Sequence, residues 1–231
     1  MAKKALLFGS IGAIVETSDI QRRAYNVALQ EAGLNWQWDE HTYAELLHQA
    51  GGKERLSMLA AATGAKLSAE QVERIHARKT ELACEELKNK EMNLRPGVKA
   101  LIKTARDKGM KLAFVTTTYQ HNIDAIFAAA GDELSENDFD HIVSRDAVEY
   151  GKPSPECYQV ALDALGVKAQ DALAVEDTAN SVMSAKRAGL PVIATPGQMT
   201  SDQDFWQADL VVDNLADASG ALDPRVVALL G

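Results

Sequence analysis

The sequence predicts an α/β protein: a Rossmann-like core with a parallel sheet, and one inserted all-helical cap. Short apolar runs alternate with segments of helical periodicity, which is the pattern of parallel strands joined by helices. The runs that we predict as strands are residues 5–8, 112–115, 142–143, 173–175, 192–194 and 210–212. From about residue 16 to residue 90 the pattern is helical with no convincing strand, which predicts the insertion. The length of 231 residues fits one domain with such an insertion.

Three helices are predicted between the later strands, because apolar residues recur there at helical spacing and a glycine follows each set. The sets, each with its closing glycine, are Val98, Leu101, Ile102 and Ala105 with Gly109; Tyr158, Ala161, Leu162 and Leu165 with Gly166; and Val182, Ala185 and Ala188 with Gly189.

The insertion begins with a helix that we expect Ser18 to cap and that runs to Ala32 before Gly33. Ser68 and Gln71 have the spacing of a capping box, and a long helix follows. One face of this helix is predicted to be largely apolar. Its residues, at spacings of 3, 4 and 3, are Val72, Ile75, Lys79 and Leu82. Trp36 and Trp38 are expected to pack inside the insertion. We predict a core domain of residues 1–15 and 93–231 and a cap domain of residues 16–92.

Composition excludes several classes of function. The 24 basic and 33 acidic residues give a net charge of −9, which argues against a broad nucleic-acid-binding face. No apolar stretch approaches the roughly 20 residues of a membrane span. Cys84 and Cys157 lack metal-site spacing and are expected to be free buried thiols. With no targeting signal recognised, we expect a cytoplasmic protein.

Four segments that follow predicted strands carry polar groups suited to binding an anion and a metal. They are 8–17, 115–118, 151–155 and 175–178. Ligands of parallel sheets bind at the carboxyl ends of the strands, where these segments meet. Threonine hydroxyls and a lysine bind phosphate, and adjacent Glu and Asp bind Mg²⁺. A threonine run is also ordinary turn chemistry, and a lone lysine is usually solvated.

Longer strings carry a family resemblance across the whole chain. They are QRRAYN at 21–26, WQWD at 36–39, GGKER at 51–55, LRPG at 94–97, TTT at 116–118 and GKPSP at 151–155. With these strings the chain resembles the haloacid dehalogenase superfamily, in its β-phosphoglucomutase-like branch and nearest to sugar-bisphosphate phosphatases of the CbbY type. The resemblance implies a helical cap that closes over substrate and Mg²⁺-dependent hydrolysis of phosphate esters.

The first motif of that family, Asp-x-Asp-Gly-Thr, is degenerate in this chain. The segment reads Gly9-Ser10-Ile11-Gly12-Ala13. By resemblance, Gly9 replaces the nucleophile, Ile11 the acid and base, and Ala13 the motif threonine. Enzymes accelerate phosphate-monoester hydrolysis by up to about 10²¹-fold, whereas hydrolases without their nucleophile retain only about 10³ to 10⁴. We therefore expect the phosphatase activity to be absent.

Ser10 is the nearest residue that could substitute for the lost nucleophile. Side chains alternate along an extended segment, so Ser10 is expected to point away from the pocket that residues 9 and 11 face. A serine nucleophile also needs a base beside it, and Ile11 cannot serve as one.

The resemblance assigns roles to the remaining residues. Phosphate would be bound by Thr116, Thr117 and Lys152, and substrate by Glu16, Thr118 and the cap residues Lys53 and Arg55. Glu176 and Asp177 would bind Mg²⁺, more weakly without a carboxylate at position 9. In the alternative reading, Lys152 forms a salt bridge with Glu176 or Asp177, and Lys53 and Arg55 are solvated.

Three functions remain open at this point. The first is a pseudophosphatase that binds a phosphorylated sugar or a similar anion. The second is an active sugar-phosphate phosphatase with unrecognised catalytic groups. The third is a non-catalytic interaction protein, with an unidentified protein partner, in which Ile11 closes the pocket with apolar contacts.

Overall fold

Six parallel strands form the predicted sheet in the computed structural model, which describes residues 2–49 and 51–231. They are β1 (Ala5–Phe8), β2 (Lys111–Val115), β3 (His141–Val143), β4 (Ala172–Glu176), β5 (Val192–Ala194) and β6 (Leu210–Val211). Their order across the sheet is β3-β2-β1-β4-β5-β6. β1 therefore lies in the middle, with Phe8 opposite Phe114 of β2 and Val175 of β4. All six predicted strands are present, and the bounds of four differ by one or two residues.

Nine α-helices lie between or after the strands in the described part of the chain. They are α1 (Ser18–Glu31), α2 (Glu40–Leu47), α3 (Gly52–Thr63), α4 (Ala69–Lys88), α5 (Val98–Asp107), α6 (Gln120–Ala130), α7 (Glu156–Leu165), α8 (Ala179–Arg187) and α9 (Pro224–Leu230). None of them is both long enough and apolar enough to cross a membrane.

Side chains of β1 alternate between the two faces of the sheet, and each face has its own apolar core. Leu6 and Phe8 belong to one core, which includes residues of α5, α6 and α9. Ala5 and Leu7 belong to the other, with residues of α7 and α8. Because both faces are covered, all four residues of β1 are fully buried.

Helices α1 to α4 share a third apolar cluster. Its aromatic centre is formed by Tyr25, Trp38 and Tyr43, and the Trp38 and Tyr43 rings are stacked at a centroid separation of 6.0 Å. Trp38 is buried, as expected, and Trp36 packs against the same cluster while partly exposed. We keep the name cap segment for residues 16–92; the domain boundaries at residues 15 and 93 stay a prediction.

The two predicted helix starts in the cap segment have different outcomes. The Ser68–Gln71 capping box before α4 is confirmed, with both reciprocal hydrogen bonds present. The expected Ser18 cap is wrong, because Ser18 is already the first residue of α1 and Thr17 precedes it without a side-chain cap. Instead the Glu16 carboxylate accepts the Ser18 amide hydrogen bond at 2.9 Å, so an acidic side chain satisfies that amide.

Candidate functional site

The carboxyl ends of β1, β2 and β4 open into one cavity of about 640 Å³ beneath the cap segment. The sheet order places these ends side by side. Predicted site residues that line the cavity are Ile11, Lys53, Arg55, Thr116, Thr117, Thr118, Lys152 and Asp177. The structure thus brings together, around one cavity, most of the residues that the sequence predicted to meet there.

Glu16 is not among the residues that line this cavity. It lines a second cavity of about 860 Å³ on the side of Arg95 and Trp206. One of its carboxylate oxygens accepts the Ser18 amide and the other accepts the Gln198 amide, each at 2.9 Å. Both oxygens are thus engaged by the backbone, and in this structure Glu16 supports the loops rather than facing the shared cavity.

Lys152 and Glu176 form a buried ion pair at the end of the sheet. Lys152 Nζ lies 2.7 Å from Glu176 Oε1, and their side chains are 6% and 0% exposed. The ammonium group also donates to the carbonyl oxygens of Gly9 and Val115. The alternative reading of Lys152 as an internal salt bridge therefore describes this structure, while its role toward phosphate stays a prediction.

Tyr158 completes this network and was not expected from the sequence, where it counted only as an apolar helix position. Its hydroxyl donates to Glu176 Oε1 at 2.5 Å, and its ring lies under the Lys152 ammonium at 5.0 Å. Burial and the neighbouring Glu176 carboxylate raise the pKa of Tyr158, so the phenol remains protonated and remains a donor.

The space beside Gly9 is filled by these same groups. A Cβ atom added to Gly9 would overlap the Tyr158 hydroxyl and the Glu176 carboxylate. Position 9, where the resemblance implies a nucleophile, therefore has no side chain and, in this conformation, no room for one. Any larger residue there requires the Tyr158 and Glu176 side chains to move.

Ser10 does not point away from the cavity, which corrects the expectation from strand alternation. It lines the cavity, and its hydroxyl donates to Asp177 Oδ1 at 2.5 Å. The reason is that β1 ends at Phe8 and a short 3₁₀ turn begins at Ile11. Strand alternation therefore no longer governs the direction of the Ser10 side chain. Asp177, which directly follows β4, also supplies a carboxylate base beside Ser10, where the sequence analysis found none.

Asp177 is a buried carboxylate in a crowded position. Burial and the adjacent Glu176 carboxylate raise the pKa of Asp177 to about 6, while the Ser10 hydrogen bond acts in the opposite direction. Its second carboxylate oxygen lies against Gly12, where an added Cβ would overlap it. The glycine at position 12 thus permits the first loop to approach Asp177 closely.

The first loop is also fixed by the Arg95 side chain. Arg95 donates to the carbonyl oxygens of Gly12 at 2.9 Å, Thr195 at 2.5 Å and Pro196 at 2.7 Å. Ile11 is partly buried, packs against the apolar core and still lines the cavity. Ala13 is fully buried, so the third degenerate position lies in the core.

The threonines after β2 are arranged as a turn with two hydroxyls engaged. Thr116 is buried, and its hydroxyl accepts the Thr118 amide at 3.2 Å. The Thr118 hydroxyl accepts from the Asn122 side chain at 2.7 Å. Turn chemistry and an anion-binding role are compatible here, since each hydroxyl retains its own hydrogen for donation.

The cap segment contributes cations to the opposite wall of the cavity. Lys53 pairs with Glu73 at 2.6 Å. Arg55 donates to the Gln49 carbonyl at 2.9 Å. The expectation that both residues face a shared pocket fits this arrangement, and neither is merely solvated.

Lys79 is a third cation that the cap segment contributes to the cavity, and the sequence analysis placed it on the apolar face of α4. Its ammonium lies 4.9 Å from the centre of the Tyr25 ring. Burial and the positive charge of Arg55 lower the pKa of Lys79 to about 7. Burial and nearby lysines lower the pKa of the neighbouring His76 to about 3, so His76 is neutral. The sequence signal that could have indicated this role was a lysine among the otherwise apolar positions of one helix face.

The oxygen donors at the end of β4 fit a divalent cation in part. Oε2 of Glu176 is buried and has no hydrogen-bond partner among the described protein atoms. Asp177 adds a second carboxylate, and Mg²⁺ is commonly held by one or two. The third carboxylate that the resemblance would place at position 9 is absent, and Lys152 already neutralises Glu176.

Comparison with known proteins identifies the family. The profile of haloacid dehalogenase-like hydrolases matches residues 4–189. The chain belongs to this family. Among its relatives, protein CbbY of Rhodobacter capsulatus is 35% identical over 98% of this chain and 100% of that protein. CbbY of Cereibacter sphaeroides is 36% identical over 94% of each.

Solved structures agree with the family assignment. Crystal structures of CbbY from Rhodobacter sphaeroides with phosphate, and of a mutant with xylulose-(1,5)-bisphosphate, share 36% identity and a TM-score of 0.84. The first covers 94% of this chain and 98% of that one, and the second covers 96% and 99%. A β-phosphoglucomutase from Clostridium difficile, at 17% identity and TM-score 0.78, shares the fold. The predicted superfamily and fold class are confirmed.

Proposed function

We propose that this chain binds a phosphorylated sugar in the cavity between the sheet and the cap segment, without the sustained phosphatase turnover of its family. The observation that carries the proposal is the filled space at Gly9, together with an open cavity that has cations on both walls. The first argues against the aspartyl chemistry implied by the resemblance. The second provides a place for an anionic ligand.

Each wall of the cavity supplies groups suited to one end of a bisphosphate. Thr116, Thr117 and Lys152 lie at the sheet end, and Arg55 and Lys79 lie under the cap segment. Charged donors form the stronger hydrogen bonds to phosphate oxygens. Since the related CbbY crystal structure holds xylulose-(1,5)-bisphosphate, a sugar bisphosphate is the ligand class that we propose.

Mg²⁺ is a secondary part of this proposal. Asp177 and Glu176 would hold it, and when bound it would neutralise negative charge on a phosphate group. Because the carboxylate of position 9 is missing, we expect weak binding that the phosphorylated ligand strengthens.

The interaction-protein alternative required Ile11 to close the pocket. Ile11 lines the cavity and yet leaves a volume of about 640 Å³ around it. This observation favours a small-molecule ligand over a collapsed pocket, so we retain the alternative only as an outcome of the experiment. A cytoplasmic location accompanies the proposal as an expectation.

Calorimetric titration with xylulose 1,5-bisphosphate, with and without Mg²⁺, tests the binding. A parallel assay measures phosphate release from a sugar-bisphosphate panel over many equivalents. Thr116→Val removes one phosphate donor with little change in shape and is the binding variant. Lys152→Ala is less suitable because it leaves Glu176 unpaired in the interior.

We expect binding that Thr116→Val weakens and no phosphate release from the sugar bisphosphates. The absence of any binding across the panel would favour the interaction-protein function. Sustained release that a cavity variant abolishes would instead favour the active phosphatase.

A further inference from the structure

Ser10 and Asp177 form a hydroxyl–carboxylate pair inside the cavity. The 2.5 Å hydrogen bond runs from Ser10 Oγ to Asp177 Oδ1, and both residues line the cavity beside Thr116 and Lys152. A serine becomes nucleophilic when a base within hydrogen-bond reach takes its proton. This pair meets that geometric requirement, and the resemblance assigns Ser10 no role.

Backbone donors surround the same hydroxyl. The amides of Ser10, Ile11 and Gly12 donate no hydrogen bond to any acceptor in residues 2–49 and 51–231. Consecutive amides of this kind can receive the oxygens of a phosphate group. A phosphate bound there would sit next to the Ser10 hydroxyl.

We propose that Ser10 is a phosphoryl acceptor, positioned by Asp177, for phosphate compounds whose leaving group departs without acid assistance. The inference rests on the proposed function, because the phosphate must first bind in the cavity. It adds a covalent step that Gly9, which has no side chain, cannot perform.

In this step the phosphoryl group passes from the leaving oxygen to Ser10. Ser10 Oγ forms a bond to phosphorus while the bond from phosphorus to the leaving oxygen breaks. The Ser10 proton passes to Asp177 Oδ1, and the leaving group departs as its anion with the electron pair of the broken bond. The products are phosphoserine, a protonated Asp177 and an aryloxide or acyl carboxylate.

Ile11 restricts which phosphate compounds can react with Ser10, and it also determines what happens to the phosphoserine product. An in-line displacement needs the leaving group on the side opposite Ser10, whereas Asp177 lies on the Ser10 side. By resemblance, position 11 is where the family's acid and base would act, and an isoleucine neither protonates an alkoxide nor activates water. Phosphoserine is therefore expected to accumulate rather than hydrolyse.

The test uses p-nitrophenyl phosphate, whose leaving group needs no acid, in buffer with EDTA so that no divalent cation competes for Asp177. The full chain is mixed with excess reagent, and p-nitrophenolate is followed in time. Intact mass and peptide fragmentation then count and locate phosphoryl groups. Inorganic phosphate titration of each variant shows that it is folded and that its cavity binds.

We expect a burst of one equivalent, followed by a flat trace, with one phosphoryl group on Ser10. Ser10→Ala should give no burst, and Asp177→Asn should slow it by about 10²- to 10⁴-fold, the range of general-base catalysis. Ser57, an exposed serine of the cap segment, provides the matched control, and Ser57→Ala should behave as the unaltered chain.

The outcomes separate this inference from the proposed function. Phosphate binding without burst or mass change would overturn the inference and leave the proposed function standing. Sustained release that persists in Ser10→Ala would overturn both. Sustained release that Ser10→Ala abolishes would support Ser10 as acceptor and overturn the absence of turnover. No phosphate binding by the unaltered chain would overturn both.

Discussion

The two walls of the cavity differ in whether their charged side chains have partners of opposite charge. At the end of the sheet, Lys152 and Tyr158 both pair with Oε1 of Glu176, and Lys152 and Glu176 are almost wholly buried. Under the cap segment, Arg55 and Lys79 have no carboxylate partner among the ion pairs of the described residues. The lysine of the sheet wall is therefore paired within the protein, whereas Arg55 and Lys79 of the cap wall leave room for an anion that a ligand can supply.

Breaking the ion pair of the sheet wall should have the largest effect. Lys152→Met leaves the fully buried Glu176 carboxylate unpaired, and we expect the free energy of unfolding to fall by about 3 to 5 kcal/mol. In the double variant with Glu176→Gln most of this loss should return. Equilibrium urea unfolding of the single and the double variant measures these changes in the free energy of unfolding. A loss below about 1 kcal/mol in Lys152→Met alone would contradict the internal pairing.

Filling the space at position 9 tests the packing of the same wall. Gly9→Ala should lower the free energy of unfolding by about 1 to 3 kcal/mol, because its Cβ overlaps Tyr158 and Glu176. Tyr158→Phe should reduce that loss when combined with it. Gly151→Ala is the matched control, since its nearest neighbour is the Thr117 Cβ at 4.0 Å. Equal losses at the two glycines would refute the packing argument.

Removing a cation from the cap wall should affect ligand binding more than stability. Lys79→Met should weaken sugar-bisphosphate binding roughly 10- to 100-fold, the equivalent of one charged hydrogen bond. Lys88, exposed at the end of the same helix, provides the control Lys88→Met. Calorimetric titration measures both, and equal affinities would remove Lys79 from the ligand site.

The pH dependence of stability also distinguishes the two walls. Lys79 has a folded pKa of about 7 against an ordinary 10.5, so between those values the unfolded chain binds more protons. The free energy of unfolding should therefore gain a contribution that grows from pH 7 to pH 10. Thermal unfolding across this range should show that contribution in the unaltered chain and lose it in Lys79→Met. Identical pH profiles for the unaltered chain and Lys79→Met would count against an unpaired, partly buried lysine.

The sheet was predictable from the sequence, while parts of the cavity were not. Apolar runs give the strands directly because parallel strands are buried on both faces. Ser10 was misplaced because strand alternation was extended beyond Phe8, where the backbone turns. Its partner Asp177 directly follows β4, and the sequence predicted that these two segments meet without indicating which of their side chains would pair.

Lys79, Tyr158 and Glu16 illustrate a second limit. Helical spacing assigns a residue to a face, and it does not say whether that face meets apolar core or a cavity. Lys79 and Tyr158 both lie on inward faces of their helices. Lys79 nevertheless lines the cavity, and the Tyr158 hydroxyl donates to the Glu176 carboxylate of the buried ion pair. Glu16 matched a substrate residue by resemblance, but two backbone amides engage its carboxylate in the structure.

The central place of β1 in the sheet has a consequence for how the protein is made. The ribosome releases β1 before its two neighbours in the sheet, because β2 follows the whole cap segment and β4 follows β2, α6, β3 and α7. Contacts between such distant parts of the sequence form slowly in folding. During synthesis the apolar strand Ala5–Phe8 therefore remains without its sheet partners until β2 and β4 have emerged, and chaperones can bind it throughout that interval.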